Sequence, residues 1–319
     1  MNKTVVIGLD GATWDVLDPL IEAGELPTFA RLRREGATGR LKSTVPPLTA
    51  PGWTTGVTGR NPGKHNIFDF VKRNDDDYDL HLTSRRDRRC RAIWNYVSDA
   101  GGRVVVMNVP HTYPPEEVNG VLVTGMGTPD NAETCTCPAS RHAEILTRHP
   151  SFKTSLETGT IEEGDLDGFI RKLADHTVTQ FAVFRELYEE ENPDFAMYVF
   201  DEMDRLMHFF WRFHDPAHPA YEKDSPYERV FADHFGLVDT LIRDFLMSLG
   251  DNVHVVFFSD HGFRALHSDV YLNNWLRDEG YIVTRAGENI TTEVTPAVRV
   301  KATIVRALDK IGVWKYYRD

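Results

Sequence analysis

VHVVFFSDHG, residues 253–262, decides the fold. An almost wholly apolar run with no polar alternation suits a parallel strand covered on both faces. It breaks off into Asp260 and His261, and Gly262 lets the chain turn there. TVVIGLDG at 4–11 repeats the pattern and delivers Asp10. A third apolar run, at 195–200, leads into DEMD at 201–204. Three strands thus carry carboxylates to their carboxyl ends, which is where open α/β sheets bind ligands.

Working outward, strands alternate with helical patterns, as an α/β sheet with helices on its faces requires. Helices are expected over residues 15–23, 28–35, 91–100, 167–190, 227–249 and 271–279. Pro27 opens one of them and Gly36 closes it. Further strands are expected at 103–108, 121–124 and 281–284. Residues 130–164 lack periodicity and read as a loop or small excursion, within a loop-rich stretch of about 110–165. Residues 298–319 form an amphipathic helical pattern. One catalytic domain over 1–319 is the expected organisation.

The 319 residues carry a formal net charge of −12. With no basic stripe, a nucleic-acid polymer is not an expected partner. No stretch approaches the ~20 apolar residues of a membrane span, and the run at 4–9 is too short for a signal peptide. Three cysteines, an odd and sparse set, do not suggest a disulfide framework. A cytoplasmic location is therefore expected. Cys135 and Cys137 read as tolerated thiols, and RRDRR at 85–89 as a solvated loop.

The chemistry lies in mixed Asp and His positions. Asp204 and His208 are four residues apart, so on a helix both face one side and can share an ion. An Asp–His hydrogen bond on a turn would use the same spacing. Asp260 and His261 end an apolar run, where a polar pair has little other reason to stand. His267 is near enough in sequence to reach the same edge, and equally suits a surface histidine. His214 and His218 read as surface residues. Such a set points to a pair of divalent ions, Zn²⁺ or Mn²⁺, rather than Ca²⁺. Two ions ~4 Å apart clamp the attacking and leaving oxygens in phosphoryl transfer.

STVPPLTAPGWTTGVTG spans residues 43–59. Pro51 is read as the first helical residue, which sets Thr49 just before a helix start. A hydroxyl there lies among unpaired N–H groups at the positive end of the helix dipole. The position also suits a plain N-cap.

VVIGLDG, TAPGWTTGVTGRNPGKHNIFDF, DEMDRLMH and FFSDHGF, in that order, resemble the signature blocks of the alkaline phosphatase superfamily, most closely its type I phosphodiesterase/nucleotide pyrophosphatase branch. The resemblance implies a three-layer α/β/α fold around a mostly parallel sheet. It also implies one metal held by Asp10, Thr49, Asp260 and His261, and a second held by Asp204, His208 and a third histidine, for which His267 is the candidate. Thr49 would be the nucleophile, forming a phosphothreonine on a small phosphorylated substrate with a diester or nucleotide-type anhydride bond. A phosphomutase and a catalytically degenerate scaffold are the alternatives. The pattern departs from the family at Gly52, where diesterases often carry an asparagine.

Overall fold

β1 (Lys3–Leu9) sits between β7 (Phe195–Phe200) and β8 (Val253–Phe258) and is parallel to both. The computed structural model describes residues 3–74, 79–156, 161, 164–268 and 270–281. Its main sheet has six strands in the order β6-β5-β4-β7-β1-β8, completed by β4 (Val104–Val109), β5 (Gly120–Thr124) and β6 (Thr136–Cys137). All neighbours are parallel except β5 and β6. Every residue of β4 and β7 is buried, matching their unbroken apolar sequences. β8 is the edge strand and stays half exposed, with Val256 46% accessible.

Alternation along the strands separates two faces. Val5, Ile7, Leu9, Tyr198 and Phe200 point into a thick layer made by α1 (Trp14–Glu22), α2 (Pro27–Glu35), α7 (Leu166–Glu191), α8 (Glu202–His214) and α9 (Val230–Ser248). Val104, Val106, Met197 and Val199 point the other way, onto Trp53 of α3 (Thr49–Thr58) and Trp94 of α5 (Ile93–Asp99). Burying each such side chain contributes about 1.5–3 kcal/mol. The thin layer is tightly fitted at one point. A Cβ on Gly8 would lie 2.3 Å from the Trp53 ring and 2.8 Å from Val199, so only glycine lets α3 approach β1.

Local sequence explains the helix ends. Thr13 caps α1 by accepting from the Asp15 N–H, and Asp165 caps α7 by accepting from Gly168. Asn192, left-handed at φ 45°, ends α7 before Pro193. α2 has no cap of its own. Asp239 of α9 supplies it from outside, its carboxylate accepting from the Thr28 and Phe29 N–H groups at 3.0 and 2.9 Å.

Three expectations need correction. Residues 130–164 are not merely loop: they contribute the antiparallel edge strand β6 and a helix, α6 (Ser140–Arg148). The basic run at 85–89 is not simply solvated, because Ser84 caps a 3-10 turn over Arg85–Asp87 and Arg88 is buried against Glu116 at 2.7 Å. A hairpin of β2 (Val71–Arg73) and β3 (Leu80–Leu82), followed in sequence by that turn, carries too few residues to show a period. His214 is half-buried, its ring 4.7 Å from Phe231. The strand expected at 281–284 and the helical pattern at 298–319 lie outside the described residues, except Tyr281, which is not in a strand. The short helices α4 (Pro62–His65) and α10 (Leu272–Asp278) complete the elements described.

Candidate metal and nucleophile site

Asp10 follows β1, Asp260 follows β8, and β7 runs into α8, whose first turn carries Asp204. Because these three strands are neighbours, their carboxyl ends set the three carboxylates side by side. Asp10 is fully buried, and Asp204 and Asp260 are each 5% exposed. Gly11, at φ +66°, lets the chain turn past Asp204, whose Oδ1 would lie 2.8 Å from a Cβ there. Its N–H donates to Asp260 Oδ1 at 3.3 Å.

The histidines close the group. His261 Nε2 lies 3.5 Å from Asp10 Oδ1, 3.3 Å from Asp260 Oδ2 and 3.1 Å from the Thr49 hydroxyl. Its Nδ1 is 2.9 Å from the Gly262 carbonyl, which fixes a proton on Nδ1 and leaves the Nε2 lone pair facing the carboxylates. His208 Nε2 is 3.3 Å from Asp204 Oδ2, on the shared helix face that the four-residue spacing predicts. Its ring rests edge-on against Phe263 at 4.8 Å.

Thr49 is itself the first residue of α3, one position inside the helix rather than before it, and Pro51 is the third. Leu48 occupies the N-cap and makes no side-chain cap. The Thr49 hydroxyl therefore does not cap the helix but turns to His261. Gly52 has a physical reason: a Cβ there would be 2.9 Å from the Asp260 Cβ, so glycine lets α3 lie against a candidate metal ligand. His65 does not reach this end. It pairs with Thr55 at 2.9 Å, six residues or ~9 Å further along the helix.

The electrostatics are those of a site built for cations. Burial, then the charges of Asp260 and Asp204, hold the Asp10 carboxyl well above the usual range. Burial is also the first cause raising Asp260 to about 6. Burial alone would raise Asp204 too, but His208, His261 and Arg205 together outweigh it and the carboxyl falls below its ordinary value. Asp10 Oδ1, Asp204 Oδ1 and Asp260 Oδ2 are buried without a hydrogen-bond partner. Orphaned carboxylate oxygens pointing together are what bound cations satisfy.

Of the residues expected from sequence, Asp10, Thr49, Asp204, His208, Asp260 and His261 are brought together. His267 is exposed after β8, where its charge acts on His218. Three supporting residues had no sequence signal. Trp53 donates its indole N–H to Asp10 Oδ2 at 3.0 Å, Ser43 donates to the Asp260 carbonyl at 2.6 Å, and Asn108 donates to Asp201 Oδ1 at 2.8 Å. Among the described residues two groups can hold a metal ion, Asp10 with Asp260 and His261, and His176 with Asp201 and Glu202.

A family model, type I phosphodiesterase/nucleotide pyrophosphatase, matches residues 4–313, and the chain belongs to that family of metal-dependent phosphohydrolases. The fold is shared with phosphonoacetate hydrolase from Sinorhizobium meliloti 1021 in complex with phosphonoformate, at TM-score 0.61 and 18% identity, over 86% of this chain and 61% of that one. It is also shared with murine ectonucleotide pyrophosphatase/phosphodiesterase 5, solved as an inactive threonine-to-alanine variant in complex with AMP. That match has TM-score 0.51 and 14% identity, over 82% of this chain and 57% of the murine one. The chain thus spans about three fifths of the length of these solved proteins. No curated protein sequence matches it significantly. The sheet is the mostly parallel, alkaline phosphatase-like one that the sequence implied. No described helix is long and apolar enough to cross a membrane.

Proposed function

We propose that the chain hydrolyses phosphodiester or nucleotide-type phosphoanhydride bonds through a phosphothreonine at Thr49. The observation that carries this reading is the Thr49 hydroxyl, 3.1 Å from His261 Nε2 at the start of a helix, beside three buried carboxylates with unpartnered oxygens. Asp10, Thr49, Asp260 and His261 would hold one divalent ion, and Asp204 and His208, with His267, the second. Zn²⁺ and Mn²⁺ suit this donor set. Bound there, the ions supply charge neutralisation for the phosphoryl oxygens and lower the pKa of the threonine hydroxyl.

The chain's own groups do the rest. The first-turn N–H groups of Thr49 and Ala50 have no intrahelical partner and point along the positive end of α3, toward a phosphoryl oxygen. Gly52 holds α3 against Asp260, so the nucleophile keeps its place relative to the carboxylates. The Thr49 hydroxyl gives up its proton to solvent, its oxygen attacks phosphorus to form the P–O bond, and the bond to the leaving oxygen breaks, the electron pair departing with that oxygen. Water then cleaves the phosphothreonine, restoring the hydroxyl and releasing the phosphoryl product. AMP in the murine relative, and its inactivity as a threonine-to-alanine variant, support a nucleotide-type substrate and a threonine nucleophile. Three free thiols support a cytoplasmic setting.

The test is turnover of bis-p-nitrophenyl phosphate against p-nitrophenyl phosphate with added Zn²⁺ or Mn²⁺. Faster diester cleavage that disappears in Thr49→Ala and partly survives in Thr49→Ser supports the reading. Undiminished activity in Thr49→Ala overturns it.

A further inference from the structure

Beneath the nucleophile site lies a second group of ligating side chains, none of which the proposed reaction uses. β7 ends at Phe200, and the next two residues, Asp201 and Glu202, turn into the thick layer at the start of α8. Asp201 is 1% exposed and Glu202 fully buried. His176, midway along α7, meets them, with Nε2 3.8 Å from Glu202 Oε1 and a side chain only 8% exposed. One ligating atom from each of the three falls within 4.8 Å of the other two. Donors sharing an ion through bonds of ~2.0–2.2 Å stand about 3–4 Å apart.

The polar atoms of this group are unevenly served. Asp201 is served: Oδ1 accepts from Asn108 at 2.8 Å and Oδ2 from Arg205 Nε at 3.4 Å. Glu202 is less well served: neither buried oxygen has a partner in good hydrogen-bond geometry, and the donors that favour its charge are the backbone N–H groups of Glu202 and Asp201. The buried Tyr198 hydroxyl is also without a partner, and it feels the charges of both carboxylates. A carboxylate removed from water with nothing to replace its hydration costs several kcal/mol. Proton uptake by Glu202 would neutralise one oxygen and still leave the other unpaired. Arg205 pairs with Asp201, which leaves Glu202 facing the imidazole nitrogen of His176.

We propose that His176, Asp201 and Glu202 bind a divalent cation of the Zn²⁺ or Mn²⁺ class, separate from the ions at Asp10 and Asp204. One nitrogen and two carboxylate donors favour those ions over Ca²⁺ or Mg²⁺. The cation fastens the middle of α7 to the first turn of α8. Asp201 and Glu202 precede Asp204 by three and two residues, so this anchor sets where Asp204 and His208 stand. The site is structural: it lies under the reaction edge and offers no nucleophile.

The experiment counts metal on the full chain and does not depend on turnover. Wild type, His176→Gln, Glu202→Gln and the Asp10→Asn/Asp260→Asn double variant are stripped with chelator, reloaded with Zn²⁺ or Mn²⁺, desalted and measured by elemental analysis. The expected result is one equivalent fewer than wild type in His176→Gln and in Glu202→Gln. Adding Glu202→Gln to the double variant removes one further equivalent. Equal metal content in His176→Gln and wild type overturns the proposal. If the glutamate variants do not fold, wild-type crystals measured at the Zn or Mn absorption edge decide it. An anomalous peak bonded to His176 Nε2 and Glu202 supports the site, and its absence at saturating metal overturns it. A loss of phosphodiesterase activity in Thr49→Ala bears on the proposed function alone.

Discussion

Two clusters of histidine and carboxylate grow from neighbouring strand ends and differ in what else reaches them. At Asp10, Asp260 and His261 a threonine hydroxyl arrives on a helix N-terminus, and His208 stands exposed beside Asp204. At His176, Asp201 and Glu202 the neighbours are Arg205, Asn108 and Tyr198, and no hydroxyl nucleophile on a helix N-terminus enters. Similar ligands therefore support different work. The open cluster has what a phosphoryl transfer needs, whereas the enclosed one has only what an ion needs. Sheet topology makes the division, because Asp10 and Asp260 leave β1 and β8 beside α3, whereas Asp201 and Glu202 leave β7 and meet α7.

The largest expected effect tests whether the open cluster alone does chemistry. Thr49→Ala should reduce diester turnover by roughly ten-thousand-fold or more while the thermal midpoint barely moves. Retained turnover would erase the distinction between the clusters. Next comes Gly52→Ala, which puts a methyl 2.9 Å from the Asp260 Cβ and pushes the nucleophile helix away. A displacement of that kind costs up to ~10²-fold in kcat, and wild-type kcat would show that this contact does not position Thr49. Trp53→Phe keeps an aromatic ring but removes the N–H that orients Asp10. Metal affinity, read by competition with a chelating dye, should fall about 10–100-fold. Unchanged affinity would mean that the indole only packs.

The smallest effect provides a reference outside both clusters. His234 is buried in the thick layer, and burial lowers its pKa to about 4 from 6.5. Between those values the unfolded chain takes up a proton that the native ring refuses, so stability falls as pH drops from 6.5 toward 4. His234→Leu should flatten that slope in melting curves taken at several pH values. An unaltered slope would assign the acid sensitivity to other groups.

What the sequence disclosed follows from how each feature is encoded. An apolar run that stops at an aspartate is local, so β1 with Asp10 and β8 with Asp260 were legible, and so was the helical pairing of Asp204 with His208. The start of α3 was misplaced by two residues because Pro51 tolerates any first-turn position and Leu48 gives no capping signal. Contacts between distant segments left no trace. Nothing periodic links Trp53 to Asp10, Arg88 to Glu116, or His176 to Glu202, since each pair is joined only when strands and helices pack. The two residues of β6 are likewise too few to show alternation.

β1 lies near the start of the chain, yet its two sheet partners are β7 and β8, with Lys3 opposite Val253 and Thr4 opposite Phe195. During synthesis β1 must therefore stay apolar and unpaired while the roughly 190 residues up to β7 are made, and half-paired for roughly 60 more up to β8. Pairing at such separation is slow to nucleate and leaves an edge open to wrong partners meanwhile. Among the described strands the order of manufacture thus makes β1 the first made and one of the last satisfied, and links the yield of correctly folded protein to how well that segment is shielded on the ribosome.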